Sequence, residues 1–288
     1  MAASNSFNIQ YKLRTVIVFA VALAILLVRF FSHSLLPQMG ISVPVLFPQK
    51  EMFYQWFYNM GITQYIVHHY ILAAAFDVCL FFSGFFFLIL RERIFAIVFW
   101  LLTLIYFLSF NIITGHHYHG LVGVLIIVLP FFSKEKNRFN LGWEGVRYYL
   151  LYIFASAALW KILRGSAFNV EQLSSILKAQ QLDLLLQNPD SLRANISAYL
   201  ISHPQVGHAI LLVNVVVQLS FSIGFFTKRF DTALLILSIV FVVANYFVMS
   251  IVSWELLILS LSLLNWDRVE ALWQQYMPGK LQFSYSAP

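Results

Sequence analysis

The sequence predicts an all-α polytopic membrane protein of about eight transmembrane helices, arranged as two parallel four-helix units over residues 1–138 and 139–288. Three observations carry that expectation. Of 288 residues, 60% are apolar and only 10% are Asp, Glu, Lys or Arg, against roughly 45–50% and about 25% in a soluble domain. Phe occurs 29 times, beside 14 Tyr and 7 Trp, so apolar side chains must cover the surface as well as fill the core, which only lipid tolerates. The apolar residues also fall into runs, several with the ~20 residues a helix needs to cross a ~30 Å hydrocarbon core. A water-soluble globule is excluded. The formal net charge of +6 is small and lies between the runs, so it bears on topology and not on nucleic acid. The single Cys79 sits inside a run, which leaves no intrachain disulfide and no cysteine metal site.

The first run covers 15–31. Lys12 and Arg14 precede it as in a signal peptide, but it continues to Arg29 without a small-x-small cleavage site and is read as a helix. The second and third runs, 66–90 and 94–113, flank the turn Arg91-Glu92-Arg93; the fourth, 121–132, is short for a span. The fifth, sixth and seventh cover 148–163, 206–226 and 232–251, and the eighth, 254–266, is again short. Between the fifth and sixth, 166–202 mixes Val170, Leu173, Ile176, Leu177, Leu182, Leu184, Leu185 and Leu186 with Glu171, Lys178, Gln180, Gln181 and Asp183. That pattern predicts one or two amphipathic helices along the membrane surface.

A cytoplasmic amino terminus puts Lys12, Arg14, Arg91, Arg93, Lys134, Lys136, Arg138, Arg147, Lys228, Arg229, Arg268 and Lys280 inside, twelve of the 18 basic residues. Arg29, Lys50, Lys161, Arg164, Lys178 and Arg193 then lie outside, so the positive-inside bias predicts both termini on the cytoplasmic face of a bacterial-type inner membrane. The halves share a layout. His68, Gly84 and Pro130 mark the first as His208, Gly224 and Trp266 mark the second, and Arg29 ends the first helix as Lys161 ends the fifth. An even number of helices per unit makes such repeats parallel.

All eight histidines, His33, His68, His69, His116, His117, His119, His203 and His208, fall at the outer ends of these helices. Histidine binds metal, relays protons or switches charge near neutral pH, which points to an outward-facing site; as amphipathic anchors they would need no site at all. His116 and His119, three apart, share a helix face and are the candidate metal ligands. The spacings are not those of the membrane di-iron histidine boxes, and a haem held by His69 and His117 is an alternative. Four ionisable residues lie in or at the ends of apolar runs: Arg29, Asp77, Lys161 and Glu255. Arg29 is expected to snorkel to the headgroups, and Asp77 to need a partner or a proton, with a basic residue of another helix the expected partner. Lys161 follows Ala155-Ser156-Ala157-Ala158-Leu159-Trp160, small residues that let a neighbouring helix close over the amine, the setting of a candidate catalytic base. His117 and His119 join it as candidate catalytic residues, with His68, His69, Asp77, Glu255 and Trp160 as candidate substrate-binding residues.

The run from Tyr152 to Lys161 with Gly165 after it, His117-Tyr118-His119 before an apolar helix, and Gly224-Phe225-Phe226-Thr227-Lys228-Arg229 resemble motifs of the HTTM family, the membrane domain related to vitamin K-dependent γ-carboxylase, and more distantly the DoxX and MauE four-helix proteins. The resemblance implies quinone-linked chemistry in the membrane, with Lys161 at the position of the carboxylase's base. This chain lacks the Trp that the family has between its Lys and Gly, and lacks the large β domain that holds a peptide, so peptide carboxylation is not expected. Two readings stand. One is an oxidoreductase or carboxylase-like enzyme acting on a quinone or another apolar redox substrate; the other is a non-catalytic membrane subunit or transporter that binds a solute or partner at the repeat interface.

Overall fold

A computed structural model describes residues 2–39, 52–114, 121–249 and 254–276, and among them there is no strand. In lipid each backbone N–H and C=O must be satisfied within its own segment, and the helix achieves that. The opening helix, α1 (Ala2–Phe31), has 30 residues. At ~1.5 Å per residue it is longer than a ~30 Å core, so its first turns stand outside. Short helices α2 (Leu36–Met39), α3 (Met52–Asn59) and α4 (Ile62–His68) lead to α5 (Tyr70–Leu90).

The helix expected over 66–90 is thus two helices. His69 between them is extended, with φ −111° and ψ 92°. Its Nδ1 donates to the Tyr65 carbonyl at 2.8 Å, satisfying an acceptor at the end of α4, and the two rings lie 4.8 Å apart.

A left-handed Arg91 (φ 56°) turns the chain into α6 (Arg93–Thr114). The fourth apolar run is α7 (Val122–Val128), continued by a 3₁₀ turn over Leu129–Phe132. The next helix, α8 (Lys136–Leu163), begins twelve residues before the expected 148, because Phe139, Trp143 and Val146 give its polar first half a buried face. The amphipathic segment forms three helices where one or two were expected: α9 (Gln172–Gln180), α10 (Leu182–Gln187) and α11 (Leu192–Ser202). Then come α12 (Pro204–Ser220), extended by a 3₁₀ turn to Phe225, and α13 (Asp231–Met249). The chain closes on α14 (Trp254–Ser260), its 3₁₀ turn Leu261–Leu263, and a polar helix, α15 (Trp266–Tyr276), which the sequence reading did not anticipate.

Six helices, α1, α5, α6, α8, α12 and α13, are long and apolar enough to cross a membrane. The expected fourth and eighth spans are shorter, and α7 and α14 pack against each other, with α1 and α8 also in contact with both. A Cβ on Gly123 of α7 would overlap the carbonyl oxygen of Glu255 on α14, with the Glu255 carbonyl carbon 3.2 Å away. Only glycine allows this approach. Gly123→Val is expected to cost about 1–3 kcal/mol by forcing the two short helices apart, read as a lower unfolding midpoint in detergent.

The core is a chain of aromatic rings. Phe19 lies 4.4 Å from Phe87 and 5.5 Å from Phe131, and Phe131 lies 5.4 Å from Phe139. Phe82, Phe85, Phe86 and Ile89 of α5 are exposed, as a lipid-facing side requires.

One end of the bundle holds the Lys134–Glu92 and Lys228–Glu144 ion pairs and Arg14, whose guanidinium lies 4.7 Å from the Trp143 ring and 5.3 Å from that of Trp266. The opposite end holds the polar groups described next.

Candidate functional site

Two polar clusters occupy that opposite end. The first is built where α8 meets α12. Ala155 and Ala158 are buried, and Ala158 packs with Val215 and Leu219 of α12, where a small residue lets the two helices approach closely. One turn on, the half-buried Lys161 Nζ donates to Gln218 Oε1 at 2.6 Å. Asn214 lies one turn before Gln218 on the same face of α12, and its buried Oδ1 accepts no hydrogen bond; nearer the start of α12 the buried Nδ1 of His208 also has no partner. Over the α12 start sit α9 and α11, joined by the buried Leu173, Leu177 and Leu200, with Leu173 3.7 Å from where a Cβ on Gly207 would be. Gln181 Nε2 reaches the Met249 carbonyl at 2.6 Å and ties this layer to α13.

An ammonium carries three donors and a full charge. The Gln218 amide satisfies one donor and cancels none of the charge. Lys161 makes no ion pair among the described residues, so the site offers donors and a positive charge to a ligand oxygen, and the Asn214 oxygen offers an acceptor to a ligand hydroxyl.

The second cluster joins α1, α5, α6 and α14. Glu255 Oε1 accepts from Arg29 Nε at 2.7 Å and lies 2.6 Å from Arg29 Nη2. Arg29 Nη1 donates to the Tyr106 hydroxyl at 2.9 Å, which donates in turn to the Ser34 carbonyl at 2.7 Å. The guanidinium also sits 4.6 Å from the Phe110 ring. Asp77 lies on the buried face of the adjoining α5. Both of its carboxylate oxygens are buried and neither accepts a hydrogen bond.

Two sequence expectations are corrected here. Arg29 does not snorkel: at 6% exposure it turns inward, because a carboxylate and a phenol await it. Among the described residues no basic group bonds Asp77, and the Arg29 guanidinium goes to Glu255 instead.

Of the other sequence candidates, Glu255 is joined to Arg29, whereas Asp77 has no hydrogen-bond partner among the described residues. His68 is exposed on the last turn of α4, and His69 forms the joint before α5. Trp160 is exposed, with the Arg164 guanidinium 4.2 Å from its ring. His116, His117 and His119 lie outside the described residues. No hydrogen bond or ion pair joins Lys161 to His68 or His69, and among the described residues no group of three His, Cys, Asp or Glu is placed to hold a metal.

The sequence reading missed Asn214, Gln218 and Tyr106. The two amides were the legible signal, polar residues four apart inside an apolar run. It also missed a repeated joint: Tyr199 and His203 between α11 and α12 reproduce Tyr65 and His69. His203 Nδ1 donates to the Tyr199 carbonyl at 3.0 Å, with the rings 4.3 Å apart. Two Tyr-x-x-x-His sequences directly before apolar runs would have shown it. No protein-family profile, curated protein or solved structure matches the chain.

Proposed function

We propose that this multi-pass membrane protein binds an apolar molecule of the quinone class between α8 and α12, under α9 and α11. The carrying observation is the Lys161 ammonium in a membrane-crossing helix, facing a neutral amide and, among the described residues, no carboxylate. A hydroquinone hydroxyl both accepts and donates, so a single headgroup oxygen can accept from Lys161 and donate to the unsatisfied Asn214 oxygen, while its apolar body occupies the lipid phase. The resemblance of the Tyr152 to Lys161 run to the HTTM and carboxylase-related membrane domain supports the same ligand class, with Lys161 as the residue nearest the reacting oxygen. The twelve-to-six distribution of basic residues supports an inner-membrane orientation with both termini cytoplasmic and this site facing outward.

The test is equilibrium binding of a short-chain ubiquinone analogue, oxidised and reduced, to the full chain in nanodiscs. Lys161→Met is expected to weaken binding by at least tenfold, about 1.4 kcal/mol. Equal affinity in the variant would remove the site.

A second reading, a subunit or transporter binding a solute between repeats, is supported by features that recur in the two halves, the short helices α7 and α14 and the Tyr–His joint. Solute uptake into reconstituted vesicles, or a stoichiometric partner retained on purification, would select it over the first.

A further inference from the structure

We propose that Asp77 carries an exchangeable proton inside the membrane-crossing part of the fold. This carboxyl is on α5, outside the α8–α12 site. Asp77 lies on the buried face of α5, between Ala73 and Leu80, both fully buried. Its two oxygens have no donor, and it is 7% exposed, so neither protein nor open solvent solvates a charge there. A charge so placed in a bilayer must find a counter-charge or be neutralised.

Among the described residues, the elements packed on α5 supply no free counter-charge. From α1 the cation is Arg29, which is bonded to Glu255 and Tyr106. From α6 the facing group is the Tyr106 phenol, whose proton goes to the Ser34 carbonyl. The α2 segment has no titratable side chain, and the titratable groups of α4, Tyr65 and His68, are exposed. Across Arg29, α14 contributes a second carboxylate, Glu255, rather than a cation.

A metal cation would need several oxygens. Among the described residues no group of three His, Cys, Asp or Glu surrounds it. A proton needs one oxygen, and Asp77 supplies two. Loss of the proton leaves an uncompensated charge on the buried face of α5.

The test is labelling with dicyclohexylcarbodiimide, which partitions into lipid and reacts with protonated carboxyls in apolar surroundings. The carboxyl O–H adds across one C=N bond of the reagent, the oxygen to carbon and the proton to nitrogen, and the product rearranges to an N-acylurea with nothing lost. The full chain in nanodiscs is labelled over a range of pH, with sodium or choline as the cation, and adducts are located by mass spectrometry. The expected result is an adduct on Asp77 and none on Glu255, with a yield that falls as pH rises and does not depend on sodium. Asp77→Asn should remove the adduct, and the wild-type comparison of Asp77 with Glu255 stands even if that variant does not fold. No adduct on Asp77 at any pH, or labelling of Glu255 in its place, would overturn the proposal. Protection of Asp77 by sodium would overturn it in favour of a cation site.

Discussion

Replacing Glu255 with Ala is expected to destabilise the protein by about 3–5 kcal/mol, because it strands a guanidinium in the bundle without its counter-charge. Arg29 is 6% exposed and Glu255 3%. The carboxylate takes two of the guanidinium nitrogens at 2.7 and 2.6 Å, whereas the Tyr106 phenol takes another at 2.9 Å and brings no charge. Removing the acid therefore leaves the base worse placed than removing both. The double variant Arg29→Met with Glu255→Leu should regain most of the loss, since a buried pair exchanged for apolar side chains of similar volume is close to neutral. Reversible unfolding in bicelles measures all three proteins. A Glu255→Ala variant within about 1 kcal/mol of wild type, the range of exposed pairs, would mean that Arg29 reaches the headgroups after all.

The second large effect is expected at the other end of the bundle. There Arg147, 3% exposed, forms a two-point contact with Asp231: Nε to Oδ2 at 2.8 Å and Nη2 to Oδ1 at 2.7 Å. Asp231 also opens α13, where a negative charge meets the positive end of the helix dipole. Asp231→Ala removes both interactions and should cost about 3 kcal/mol. The loss stays at the lower end of the buried-pair range because Nη2 keeps the Gly224 carbonyl at 2.8 Å and, more weakly, the Thr227 carbonyl at 3.3 Å. Arg147→Lys should also destabilise, since an ammonium cannot form the parallel fork that the carboxylate accepts. Unfolding midpoints in detergent, read beside Glu255→Ala, check the order: Asp231→Ala should be the milder of the two. The reverse order would show that the backbone carbonyls contribute nothing to holding Arg147.

Much of the helical architecture is legible one-dimensionally. The turn at Arg91 and the seven-residue α14 with its 3₁₀ continuation fall where the apolar runs end. The errors have local causes. The break at His69 was invisible to hydropathy because an imidazole, and not a polar loop, closes α4. The early start of α8 was hidden because 136–147 reads as polar on average while Phe139, Trp143 and Val146 still share one buried face. Glycine at 123 looked like any other small residue in an apolar run until α14 was seen passing over it.

Composition and run length suffice to establish helices that face lipid, because the solvent of a segment depends on the summed transfer free energy of its own side chains. They also single out Arg29, Asp77, Lys161 and Glu255 as costly residues. Which of these are paired is a different kind of question. Arg29 and Glu255 are 226 positions apart, and Lys161 and Gln218 are 57 apart, so no local pattern couples them. Only packing of α1 against α14 and of α8 against α12 decides that one guanidinium has its acid, that one ammonium has only an amide, and that Asp77 is left with neither.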